Sequence, residues 1–357
     1  MKSLSTITKL SKLAVLGAGL LATPVAAQEQ TEFNVAWSIY VGWMPWGYAE
    51  DTGIVDRWAE QYGITINVTQ FNDYVESINQ YTAGAYDAVT VTNMDALSIP
   101  AAGGIDTTAV IVGDFSAGND VVFLKDAQSV ADIEGRRVNL VEFSVSHYLL
   151  ARALDSVGLS ERDVSVVNTA DPDMVGAFQT DDVDALVTWN PMVSEIAALP
   201  DAVPVFDSSM VPGEIIDLMV ANTDVLSANP DFGNALAGIW YETVILMASD
   251  TPEGAEARAA MGAVSGTDQA GFEAQMAATQ LFAEPADAVA FTSSPDLGKT
   301  MDLVREFLFD KGLLTPNATS SDAVGIELPD GTILGDPNNV RFRFTTEFMQ
   351  MAADGAL

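Results

Sequence analysis

Two kinds of side chain in this 357-residue chain are spaced so that they could act on a ligand. Aromatic residues crowd the stretch Trp37-Ser38-Ile39-Tyr40-Val41-Gly42-Trp43-Met44-Pro45-Trp46-Gly47-Tyr48, and carboxylates stand where apolar runs stop. The aromatic spacing fits neither a 3.6 nor a 2.0 period and is broken by Gly and Pro, so it reads as a loop after the first strand. Trp and Tyr faces attract a flat cation by roughly 0.5 to 2 kcal/mol, and carboxylates accept forked N–H pairs. An aromatic minicore packed beneath the loop is the competing reading.

In an open parallel sheet, ligands bind beyond the carboxyl ends of the strands. That rule selects Ser38, Tyr40, Trp43, Met44 and Trp46 after the first strand, Asp73 and Tyr74 after the second, and Asn93 after the third. A second series supplies Glu142, Ser144 and His147, then Trp189. No Lys or Arg is among them, whereas an anion site normally pairs a helix N-terminus with a basic side chain. Carboxylates, amides and aromatic faces suit a small ligand rich in N–H donors, and urea and guanidinium both fit. Ser144 and Ser146 argue the other way, because the start of their helix favours an anion. Asp73, Asp95 and Asp171 also stand where helix N-caps are expected. A lone histidine, His147, builds neither a metal cluster nor a triad, and no metal or cofactor is expected.

The elements that must position these residues follow an α/β pattern. Strands are expected at Phe33–Trp37, Ile64–Thr69, Ala88–Val91 and Thr108–Val112, with helices near Ile54–Gln61, Tyr74–Ala83 and Asp95–Ala101. A second series runs through Asp120–Leu124, Arg137–Val141, the helix Ser146–Val157, Val164–Val167, a helix from Pro172 to Gln179, and Ala185–Thr188. After a strand at Leu218–Ala221 the pattern is mostly helical, including Asn338–Met351, with a hairpin about Gly331. Two lobes are expected: 28–118 with 222–357, and 119–221. Crossings near Gly118 and Val220 would form a hinge.

Lys2, Lys9 and Lys12, the apolar run from Leu13 to Leu21, and Val25-Ala26-Ala27 read as a cleaved signal peptide over 1–27. No later segment offers about 18 uninterrupted apolar residues. Without cysteine there are no disulfides, thiolate chemistry, cysteine-bound zinc or lipid anchor. Fifty acidic against 15 basic residues, a formal net charge of −35, make nucleic acid and anionic membrane poor partners. Such a surface is also a common adaptation to saline surroundings.

Several segments in order carry a family resemblance over about residues 33 to 225. They are Ala49-Glu50-Asp51-Thr52-Gly53-Ile54, Ala83-Gly84-Ala85-Tyr86-Asp87-Ala88, Asp132-Ile133-Glu134-Gly135-Arg136-Arg137-Val138, Ser146-His147-Tyr148-Leu149-Leu150, and Asp182-Val183-Asp184-Ala185 leading to Trp189-Asn190-Pro191. Together they resemble the periplasmic substrate-binding proteins of ABC transporters in the nitrate, sulfonate and taurine superfamily. The aromatic loop and the Glu142 segment look most like the urea carboxylase-associated branch. The resemblance implies a type II periplasmic binding fold and a monomeric receptor that hands urea or a guanidine-type solute to a permease in the inner membrane. The enzymes among related branches depend on cysteine, which this chain lacks. A receptor for a sulfonate, taurine or nitrate-type anion or for a thiamine-type pyrimidine is the alternative; an exported hydrolase ranks lower.

Overall fold

Alternating apolar runs and amphipathic segments resolve into two sheets flanked by helices. The computed structural model describes residues 30–315 and 317–357, so the expected signal peptide lies outside the described residues. In chain order the strands are β1 (Glu32–Ser38), β2 (Thr65–Phe71), β3 (Ala88–Thr92), β4 (Thr107–Ser116), β5 (Asp120–Lys125), β6 (Arg137–Leu140) and β7 (Ser165–Asn168). There follow β8 (Ala185–Trp189), β9 (Ala202–Asp207), β10 (Ile216–Asn222), β11 (Thr279–Leu281), β12 (Gly325–Glu327), β13 (Ile333–Leu334) and β14 (Val340–Phe344). The first sheet has the order β13-β12-β14-β4-β10-β3-β1-β2, with β11 on β4; the second runs β7-β6-β8-β5-β9.

Burial explains which strands are central. All five residues of β3 are buried and β1 pairs parallel to it, whereas β2 at the sheet edge is largely exposed. A strand buried on both faces needs a continuous apolar run, and an edge strand does not. Helices α1 (Met44–Asp51), α3 (Tyr74–Thr82), α4 (Asn93–Ala96) and α5 (Val145–Ser156) each follow a strand, and α2 (Ile54–Gln61) follows α1. The helix Pro230–Ala248 packs on α1, stacking Trp240 on Trp46 with centroids 5.8 Å apart.

The chain crosses between sheets twice, from β4 to β5 and from β9 to β10. Ser208 on the return crossing ties the two together. Its Oγ lies 2.7 Å from Ser116 Oγ and accepts from Gly118 N at 2.8 Å. Gly118 sits at φ +124°, which a side chain rarely tolerates.

Four expectations need correction. The return crossing was expected near Val220, with the second lobe ending at 221; β10 instead inserts antiparallel between β3 and β4, so the chain re-enters the first sheet by Ile216. Burial on both sides of that apolar run is the reason. The segment Trp37–Tyr48 is not one loop: it contains the end of β1, a turn, and the first residues of α1, where Pro45 occupies the first turn that tolerates it. Asn338–Met351 is not one helix, because Phe342 and Phe344 alternate with Arg341 and Arg343 at strand period, and the helix begins only at Glu347. Strand β9 has no counterpart among the expected elements. The hairpin about Gly331 is present as β12 and β13, with Ile326 opposite Leu334. Among the described residues no helix is long and apolar enough to cross a membrane.

Candidate ligand-binding site

At the carboxyl end of β1, the turn holds Tyr40 and Trp43 together: Tyr40 O accepts from Trp43 N at 2.9 Å and from Met44 N at 3.1 Å. Tyr74 starts α3 just after β2, and Thr92 ends β3. Facing them from the second sheet are Val145, at the start of α5, and Trp189, at the end of β8. Asp120 opens β5; Ile215 and Asp217 lie where the chain returns to the first sheet. These nine residues enclose a cavity of about 20 Å³ between the lobes.

The aromatic members form a continuous wall. Tyr40 meets Trp43 edge-on at 5.1 Å and 68°, Trp43 meets Tyr74 at 5.5 Å and 32°, and Tyr74 meets Trp189 at 5.7 Å and 72°. Tyr74 also joins the lobes through its backbone, its N donating to Asp171 Oδ2 at 3.3 Å.

Behind the wall lie buried carboxyls. Asp95 Oδ2 accepts from Tyr74 OH at 2.7 Å, from Thr92 Oγ1 at 2.9 Å and from Val145 N at 3.4 Å. Asp114 Oδ1 accepts from Tyr40 OH at 3.1 Å, and Asp120 Oδ2 from Ser116 Oγ at 2.6 Å. Asp217 stands opposite Asp114 across the β10–β4 ladder. Asp95 Oδ1, Asp114 Oδ2 and Trp43 Nε1 are buried without a hydrogen-bond partner. Among the described residues, no Lys, Arg or His lines the cavity.

Burial dominates the titration of these groups. It pushes Asp95 up to about 6, against the hydrogen bonds it accepts, and Asp120 up to about 7, with Asp95 adding repulsion. Asp114 is also raised by burial, and Asp217 is raised by burial and then by the Asp114 charge. With no basic partner among the described residues, the cluster relieves its charge by holding protons, which a bound cation can replace.

The structure brings Tyr40, Trp43, Tyr74 and Trp189 together at the cavity; it does not bring the other expected residues there. Trp46 is core, stacked on Trp240, and Met44 lines a separate groove of about 280 Å³ with Trp37 and Val68. Ser38 is buried at the end of β1, its Oγ unpartnered. Asp73 caps α3, accepting from Glu76 N at 2.9 Å, and Ser144 caps α5, accepting from Ser146 N at 3.2 Å. Asn93 pins the return crossing, accepting from Ile216 N and donating to Glu214 O, both at 3.1 Å. Glu142 is half-buried off the cavity, its N donating to Asn168 Oδ1 at 2.9 Å. His147 Nδ1 accepts from Phe143 N at 3.1 Å, while Nε2 lies 3.1 Å from Glu161 Oε1, which also pairs with Lys311.

Asp120, Asp217 and Thr92 were not among the expected site residues, nor was Asp114 behind them. Their signal was nonetheless present: Asp114 interrupts Ala109-Val110-Ile111-Val112-Gly113, and Asp217 interrupts Ile215-Ile216 and Leu218-Met219-Val220. A charged residue inside a fully buried strand is costly unless it serves something. Asp95 is not the cap of α4 either; Thr92 is, accepting from Asp95 N at 3.3 Å.

Relatives agree with this architecture. The NMT1-like family model matches residues 27–263. The taurine-binding periplasmic protein of Escherichia coli (strain K12) is 23% identical over 188 residues, which are 51% of this chain and 57% of that protein. A putative binding protein of Brucella abortus (strain 2308) is 25% identical over 175 residues, 48% of this chain and 54% of its own. The chain thus spans about half the length of the curated relatives it matches. Among solved structures, the alkanesulfonate-binding protein SsuA from Xanthomonas axonopodis pv. citri, bound to MOPS, superposes with a TM-score of 0.62 at 18% identity, covering 78% of this chain and 96% of that one. The periplasmic nitrate-binding protein NrtA from Synechocystis PCC 6803 gives 0.57 at 11% identity, covering 92% and 99%. At such identities the likeness carries the fold: two α/β lobes of the type II periplasmic binding kind. The chain belongs to the NMT1-like family.

Proposed function

We propose that this protein is an exported solute receptor of an ABC importer, closing its lobes on a small nitrogen-rich solute, with an organic cation such as guanidinium preferred to neutral urea. The observation that carries the ligand class is the lining itself: four aromatic rings with Asp120 and Asp217, and no basic side chain among the described residues. An anion placed there would meet no fixed positive charge to offset its desolvation, whereas a cation can take the place of the protons that the carboxyls hold. In this reading the receptor is periplasmic, delivers its ligand to a permease, and returns it chemically unchanged.

A second reading takes an anionic head group, a sulfonate or nitrate type. The names of the taurine- and alkanesulfonate-binding relatives favour it, and so does the start of α5 at Val145 on the cavity wall. Against it, Val145 N already donates to Asp95 and Ser146 N to Ser144. Titration calorimetry with guanidinium, urea, taurine, ethanesulfonate, nitrate and a thiamine-type pyrimidine separates the readings. Guanidinium or urea binding with no ethanesulfonate or nitrate binding supports the first; tight ethanesulfonate or nitrate binding alone overturns it.

A further inference from the structure

The cavity's geometry discriminates among cations, an inference that rests on the cation-receptor reading above. We propose that the cleft selects a compact alkylammonium head group over planar guanidinium, with Asp120 and Asp217 as its countercharge.

The first ground is the orientation of the wall. A planar cation gains most from a ring whose face it can cover in parallel. Tyr40 is turned 68° from Trp43 and Trp189 72° from Tyr74, so the wall has a corner at each end, joined by the 32° tilt between Trp43 and Tyr74. Corners surround a rounded cation on several sides, which is how aromatic cages hold alkylated ammonium groups.

The second ground is the state of the carboxyls. Guanidinium is recognised by two oxygens of one carboxylate in a fork. Asp120 has one oxygen committed to Ser116 Oγ at 2.6 Å, and Asp217 faces Asp114 across the ladder. Each offers the cleft a point charge rather than an open fork, and a point charge suits an ammonium centre. The cavity of about 20 Å³ is smaller than either cation, so the lobes must part to admit one, and the alkyl substituents of an ammonium then lie against the rings.

The experiment is competition calorimetry on the full chain with methylammonium, tetramethylammonium, guanidinium, urea, taurine and nitrate. The tighter of the two ammonium ions is expected to bind at least tenfold more strongly than guanidinium. Asp120→Asn and Trp189→Leu, each checked by circular dichroism for an intact fold, should each weaken that ammonium ion by at least tenfold. Equal or tighter guanidinium binding overturns the ammonium preference while leaving the cation-receptor reading standing. Binding of nitrate alone overturns both. Unchanged ammonium affinity in both folded variants overturns the assignment of these residues.

Discussion

Tyr74 of the first lobe and Trp189 of the second meet edge to face, with ring centroids 5.7 Å apart and planes at 72°. The Tyr74 hydroxyl donates to Asp95 at 2.7 Å, so its ring is held and cannot follow Trp189 if the lobes part. The contact therefore belongs to the closed arrangement, and Trp189 is positioned to report closure. In a two-crossing hinge, such contacts form and break as a unit.

Trp189→Ala should lower affinity for a cationic ligand by about 1 to 2 kcal/mol, roughly fivefold to thirtyfold, from the loss of one ring face. It should also reduce the ligand-induced change in intrinsic fluorescence, leaving the part contributed by Trp43 in the same wall. Calorimetry and a fluorescence titration on the same preparation check both. An unaltered affinity would show that the second lobe contributes no ring to the ligand.

Acidification should weaken cation binding. Asp120, raised to about 7 by burial, must be ionised to balance a bound cation, so affinity should fall as pH drops from 8 to 5.5. The stability of the empty protein should move the opposite way. Asp95 and Asp120 titrate at about 6 and about 7 in the fold, against 3.8 ordinarily, so between these limits the folded state binds more protons than the unfolded state. Their contribution is fully present below the unfolded value and is lost as pH rises through 6 to 7. Asp171, raised to about 7 by burial and by Asp73, adds to the trend. Thermal melts at pH 5.5 and 8, with Asp120→Asn as the control, should show a shallower pH dependence in the variant.

Asp217→Asn should stabilise the empty protein at pH 8, by roughly 1 kcal/mol or more, because it removes one member of a buried acidic pair that no base compensates. Cation affinity should fall in the same variant. A raised melting temperature together with weaker binding is the expected pair of results; a lowered melting temperature would mean that Asp217 is structurally satisfied.

Gly42→Ala should disturb the site from behind. A Cβ there would lie 2.6 Å from Tyr40 Cε1 and would also collide with the Asp114 carboxylate. Overpacking of this kind typically costs about 1 to 3 kcal/mol, and here it would also displace the Tyr40–Asp114 hydrogen bond. Denaturant unfolding and a ligand titration should both register it.

Glu161→Gln should loosen closure. Glu161 lies on the second lobe and pairs with Lys311, at the end of the helix Pro295–Asp310 that belongs with the first, and it lies 3.1 Å from His147 Nε2. Burial raises this carboxyl, but His147 and Lys311 outweigh it and hold it below its ordinary value. Because the group is partly exposed, screening reduces the expected loss to about 1 kcal/mol. Small-angle scattering should find the empty variant more expanded than the wild type.

Much of the fold was legible because it rests on local pattern. The residues of β1, β3 and β5 form apolar runs, and Ile54–Gln61 carries a helical period, so these elements emerge from spacing alone. The failures lie where a local period competes with another cue. The short alternation Arg341-Phe342-Arg343-Phe344 of β14 runs directly into the helix that begins at Glu347 and was merged with it, and Pro45 and Gly47 disguised the first turns of α1. The site was partly legible: Tyr40, Trp43, Tyr74 and Trp189 follow strands and reach the cavity, while Trp46, equally aromatic and three residues from Trp43, points into the core.

By itself the sequence determined the α/β lobes, the aromatic character of the candidate residues and the absence of Lys and Arg from among them, because composition and periodicity are local properties. Only tertiary structure decided that Asp114, Asp120 and Asp217 gather beside Tyr40, since they lie on three different strands and meet through the β10–β4 ladder and the hinge crossing. A carboxyl's chemistry depends on its desolvation and on the charges around it, and neither can be read from its neighbours in the chain.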